Sequence, residues 1–107
     1  MNIKFYYLYR DGANYKNFHE TVFSNSNDLK LNLIEEIIRK HLIDGQWFVS
    51  KEWNVPDLHF REFSWDSEVD HDWHEFERLE ETLDRVTHEK SIEDFLQLIS
   101  VTSVMSI

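Results

Sequence analysis

Residues 69–86, VDHDWHEFERLEETLDRV, decide the architecture, because the segment reads as either a helix or a strand. Val69, Trp73, Phe76, Leu79 or Glu80, Leu83 and Val86 recur with a period near 3.5, as on one helical face. That helix would stack Glu68 over Asp72, Glu77 over Glu81 and Glu80 over Asp84. Each like-charge pair four residues apart costs about 0.2–0.5 kcal/mol. The sum favours a strand from Trp73 to Glu80.

Upstream, Gln46 to Val55 reads as containing a short helical turn ended by Pro56, and Leu58 to Phe63 as a strand with Leu58, Phe60 and Glu62 on one face. Asp66 to Asp72 reads as a loop. Leu29 to Ile43 is the clearest helix: Leu33, Ile34, Ile37, Ile38, His41 and Leu42 form its apolar face, and Glu35, Glu36, Arg39 and Lys40 point away. Asn27 or Asp28 is expected to cap it, acids fall early and bases late, and Asp44-Gly45 ends it. Nearer the amino terminus, Ile3 to Tyr9 and His19 to Ser24 have β character, joined by the long polar loop RDGANYKNF. Ser91 to Ser100 carries a capping-box-like Ser91/Asp94 pair and the apolar face Ile92, Phe95, Leu96, Ile99. Residues 100–107 stay open between a last strand, a frayed tail and a docking segment. The expected fold is α+β: an antiparallel sheet with two helices packed on one face, in the order β-β-α-β-β-α.

A length of 107 residues suits one domain spanning 1–107, and 15% aromatic residues argue for a packed core despite 30% charged residues. Without cysteine there is no disulfide, thiolate metal site or thiol nucleophile, which fits a cytoplasmic protein. The start MNIKFYYLYRDG, broken by Lys4 and Arg10, lacks the apolar run of a signal peptide, and no stretch is long enough for a membrane span. Two glycines in total leave no glycine-rich phosphate cradle, and no serine sits in a nucleophile-elbow context.

The stretches YYLYRDGANYKNF, IIRKHLIDGQWF, NVPDLHF and DHDWHEFE resemble a group of small uncharacterised bacterial proteins, over most of residues 3–81. The resemblance implies a bacterial, single-domain protein. It brings no activity, ligand or catalytic residue to any position.

Charge carries the functional reading. Nine carboxylates stand against Arg78 alone between Glu62 and Glu81, within a chain of net charge -10. Direct binding to nucleic acid is disfavoured, since phosphates are held by clustered Lys and Arg. An acidic surface with embedded rings instead suits a basic protein groove, such as that of a nucleic-acid-binding enzyme or a toxin. Trp65 and Trp73 are the expected anchors, with Asp66, Glu68, Asp70, Asp72 and Glu75 steering association. The expected function is therefore a non-enzymatic binding module of the inhibitor, immunity, antitoxin or anti-defence kind, with no catalytic residue and no cofactor assigned.

Two alternatives stand beside it. His71 and His74, with neighbouring acids, superficially resemble a divalent metal site of a small hydrolase, with a third ligand drawn from His19, His59 or His88. On a strand, however, His71 and His74 point to opposite faces. The other alternative is a structural subunit of a larger assembly. A separate ligand loop is built from Arg10, Asp11, Asn14, Tyr15 and Lys16, whose simpler reading is a hairpin loop that satisfies its own backbone. His41, on the apolar edge of its helix, reads as a half-buried packing residue.

Overall fold

Alternating apolar positions at the amino terminus build the centre of the sheet. In the computed structural model, which describes residues 1–58 and 73–105, strand β1 (Asn2–Arg10) turns Ile3, Phe5, Tyr7 and Tyr9 to one side, all essentially inaccessible to solvent. It is flanked antiparallel by β2 (Lys16–Phe23) and by a strand late in the chain, Trp73–Thr82. Helix α1 (Leu31–Lys40) follows β2, a short strand β3 (Trp47–Val49) pairs antiparallel with β4 (Trp73–Thr82), and α2 (Ile92–Met105) closes the chain. The sheet order is β2-β1-β4-β3, and the element order is the expected β-β-α-β-β-α.

Both helices supply the inner layer. Ile34 and Ile38 of α1, and Ile92, Phe95, Leu96 and Ile99 of α2, join one core with the inward rings of the sheet. Phe5 is its hub, with ring centroids 5.4–6.3 Å from Tyr7, Phe23, Phe48, Trp53, Phe76 and Phe95. Burying one such side chain contributes about 1.5–3 kcal/mol, so a few large rings replace a larger aliphatic core. No helix among the described residues is long and apolar enough to cross a membrane.

A β-bulge explains why β4 looks helical in sequence. Tyr7 faces Phe76 but Tyr6 faces Arg78, which leaves Glu77 as an extra residue. Phe76 and Leu79, three apart, therefore both point inward, toward Tyr7 and Phe5. The strand expected over Trp73 to Glu80 is present, and it continues to Thr82.

Several boundaries differ from expectation. The third strand is Trp47–Val49, at the start of the segment expected to contain a helical turn. The turns follow it, at residues 50–54. Of the strand expected at Leu58 to Phe63, only Leu58 is described; it is buried and belongs to no strand, and the rest, like the Asp66 to Asp72 loop, lies outside the described residues. Helix α1 starts later than expected, and its first turn holds no acid. Lys30 occupies its N-cap without a side-chain bond, because Asn25 caps the preceding turn instead, accepting from Leu29 N–H at 2.9 Å and donating to Leu29 C=O at 3.1 Å. Asn27 is spent on Glu93, to which it donates at 2.6 Å, and Asp28 sits in the left-handed region at φ 51°. Helix α2 runs through Met105, so residues 101–105 are helical and not a last strand. His41 is half-buried, with Nε2 3.2 Å from Ser100 Oγ.

Candidate functional site: the outer sheet face

Both helices pack on the inner face, so the outer face of the sheet carries the side chains that β1 and its neighbours turn away from the core. The strand registers set Phe18, Leu8, Glu75 and Trp47 in one row across it, with Trp73 beside Val49 and Arg10 beside Lys16. Trp47 and Trp73 stack with ring centroids 5.4 Å apart and planes 29° from parallel. Trp73 keeps 39% of its surface exposed, and Phe18 keeps 60%. Toward the far end, Tyr6 lies under the Arg78 guanidinium, 3.8 Å from ring centroid to Cζ.

The acids of this face are largely engaged within the molecule. Glu75 accepts from Arg10 Nε at 2.8 Å and from Nη2 at 3.4 Å, and Arg10 Nη1 donates to Asn14 Oδ1 at 2.6 Å. Donating to Glu75 holds the Arg10 proton more tightly than usual. Glu80 accepts from the Tyr6 hydroxyl and from Arg78, which pull its carboxyl below the ordinary range, in that order of weight. Asp84 pairs with Lys4, chiefly by a hydrogen bond, so its carboxyl is lowered and the Lys4 ammonium raised.

Two groups that the sequence presents separately thus meet in space. Glu75, expected to steer a partner, anchors Arg10 and Asn14 of the expected ligand loop. That loop is also shorter than RDGANYKNF suggests, because β2 begins at Lys16. Asp11 Oδ1 accepts from Ala13 N and Tyr15 N, both at 2.9 Å, Asp11 N donates to Tyr15 C=O at 3.0 Å, and Asn14 takes the left-handed φ of 70°. This is a self-satisfied hairpin loop of ordinary length. Of the other expected contact residues, Trp65, Asp66, Glu68, Asp70 and Asp72 lie outside the described residues, as does His71. Trp47 and Phe18 went unread in the sequence. The signal for Trp47 was the aromatic and β-branched run Trp47-Phe48-Val49.

His74 faces inward and is wholly buried among Tyr7, Tyr9 and Phe48, with ring centroids 6.0, 5.2 and 6.0 Å away. Its Nε2 accepts the Leu58 N–H at 2.9 Å and lies 3.6 Å from Asp57 Oδ1. That lone pair holds backbone and is not offered to a metal. His88 is engaged at both nitrogens, with Nδ1 accepting from Lys90 N at 3.0 Å and Nε2 2.7 Å from Asn54 C=O. Among the described residues no three His, Cys, Asp or Glu gather as a metal site. A cavity of ≈ 520 Å³ is lined by Lys40, His41, Phe48, Glu52, Trp53 and Thr102, and there the Thr102 hydroxyl donates to Leu98 C=O at 2.9 Å. Comparison with protein-family models, with curated proteins and with solved structures gives no match.

Proposed function

We propose that the protein is a non-enzymatic binding module that docks its outer sheet face on a basic protein surface, as an inhibitor or antitoxin-like protein does. The carrying observation is the Trp47–Trp73 stack, half-exposed on a face that neither helix covers, beside the acids of β4 in a chain of net charge -10. Stacked indoles are rigid, lose little entropy on binding and attract Arg and Lys to their faces. Trp73 and Trp47 anchor the contact, and Glu77 with the surrounding field steers approach. Glu75 acts indirectly, by holding Arg10. Asp66, Glu68, Asp70, Asp72 and Trp65 belong to the proposal through charge and ring character alone. No observation favours the metal-dependent or assembly-subunit readings.

The test is capture from native lysate on the tagged chain at low and high salt, repeated with Trp47→Ala and Trp73→Ala after circular dichroism has established that both fold. A basic protein retained at low salt, released at high salt and weakened about tenfold or more by either substitution is the expected result. Retention indifferent to salt and to both tryptophans would sink the proposal.

A further inference from the structure

The β2 edge of the sheet is built to pair, and its pattern of open groups has its own symmetry. Strand β2 lies at the end of the order β2-β1-β4-β3, so each second residue turns its N–H and C=O away from β1. Both ends of the strand fix which residues these are. At one end Asp11 N donates to Tyr15 C=O, so odd-numbered positions face each other within the hairpin. At the other, Val22 N donates outward to Thr87 Oγ1 at 2.8 Å, and Val22 C=O accepts outward from Thr87 N and His88 N, each at 3.0 Å. Val22 is thus clipped. By the same alternation Lys16, Phe18 and Glu20 point their backbone groups off the edge, where no described residue meets them. Their side chains lie together on the outer face, with Phe18 60% exposed between the two charges.

We infer that this edge joins a second copy of the chain, β2 against β2 antiparallel, about a two-fold axis at Phe18. In that register Phe18 faces Phe18 of the copy, and Lys16 faces its Glu20 on either side. Every open backbone group is paired, and pairing stops where the Thr87 clip and the Asp11 loop begin. Charges on an edge strand normally discourage pairing. Here the register that satisfies the backbone is also the one that sets opposite charges directly across, which favours a copy over a foreign strand. The edge lies at the opposite end of the sheet from the tryptophan stack, and its test reads mass rather than partner capture, so the inference stands or falls apart from the proposed function.

The test needs no partner. Sedimentation equilibrium of the purified chain, at physiological salt and up to millimolar concentration, should give a mass moving toward twice that of the single chain. Lys16→Glu sets like charges opposite and should weaken the dimer about tenfold, and Lys16→Glu combined with Glu20→Lys should restore it. Because the chain has no cysteine, Phe18→Cys supplies one thiol whose counterpart sits directly across, at a Cα separation of about 5.5 Å that a disulfide spans. Mild oxidation should link Phe18→Cys chains faster than chains carrying the exposed Asn32→Cys. A monomer at every concentration, a double charge variant no better than the single one, or equal cross-linking at both positions would each overturn the inference.

Discussion

Glu80 accepts the Tyr6 hydroxyl at 2.7 Å and Arg78 Nη1 at 3.2 Å on a single oxygen, and Asp84 takes the Lys4 ammonium. Both carboxyls are lowered in the folded protein. As the pH falls, the unfolded chain therefore binds protons before the folded one does. The stabilisation is complete above the ordinary carboxylate pKa of about 4 and is lost as pH drops through the lowered values. Lys4 has the opposite sign: its raised pKa stabilises below the ordinary lysine value and fades only as pH rises through the raised one. Urea midpoints followed from neutral to acid pH should stay level and then fall below about pH 4, and Glu80→Gln should flatten part of that fall. An unchanged acid slope in the variant would show that the three-way contact contributes nothing. None of this was legible in the sequence, where Glu80 is one acid among many and its partners Tyr6 and Arg78 are far apart.

At the scale of elements, β4 shows how a local rule misleads and what corrects it. The spacing of Phe76 and Leu79 has helical periodicity because Glu77 is inserted as a bulge, which resets the inward side of the strand. The like-charge stacking argument outweighed that periodicity, and the strand is there. Deleting Glu77 should therefore be tolerated, since Phe76 and Leu79 keep facing inward and the register with β1 becomes continuous. Deleting Glu75 instead should turn His74 outward and Trp73 inward, and abolish cooperative unfolding. Thermal melts with near-ultraviolet circular dichroism on the two deletions separate these outcomes. Strand β3 shows the reverse failure. Three residues between a Gly-containing turn and a run of turns give too little periodicity to read, and only their pairing with β4 makes them a strand. The α1 cap misled for another reason: Asn27 was available in sequence but is drawn to Glu93 of α2, a tertiary contact no local pattern encodes.

For the whole molecule, the α+β class and element order were legible because aromatic alternation and the α1 stripe are strong signals. The arrangement of the candidate site was not, because it forms only when β4 lies between β1 and β3 and brings Trp73 to Trp47 and Glu75 to Arg10. Net charge also acts at this scale. Exposed pairs such as Arg39–Glu35 contribute at most about 1 kcal/mol each, whereas a charge of -10 repels itself throughout a small volume. Added salt should therefore raise the melting temperature, and a fall would mean that local pairs dominate.

The sheet order also sets a timetable for synthesis. Tyr6 and Glu80, bonded across β1 and β4, stand 74 positions apart. At the usual pace of translation, about 5–20 residues per second, β1 waits about 4–15 s for its second neighbour. During that interval the ribosome holds a nascent hairpin whose Phe5, Tyr7 and Tyr9 have neither β4 nor α2 to cover them. What covers those early rings is made only later, with β4 and α2.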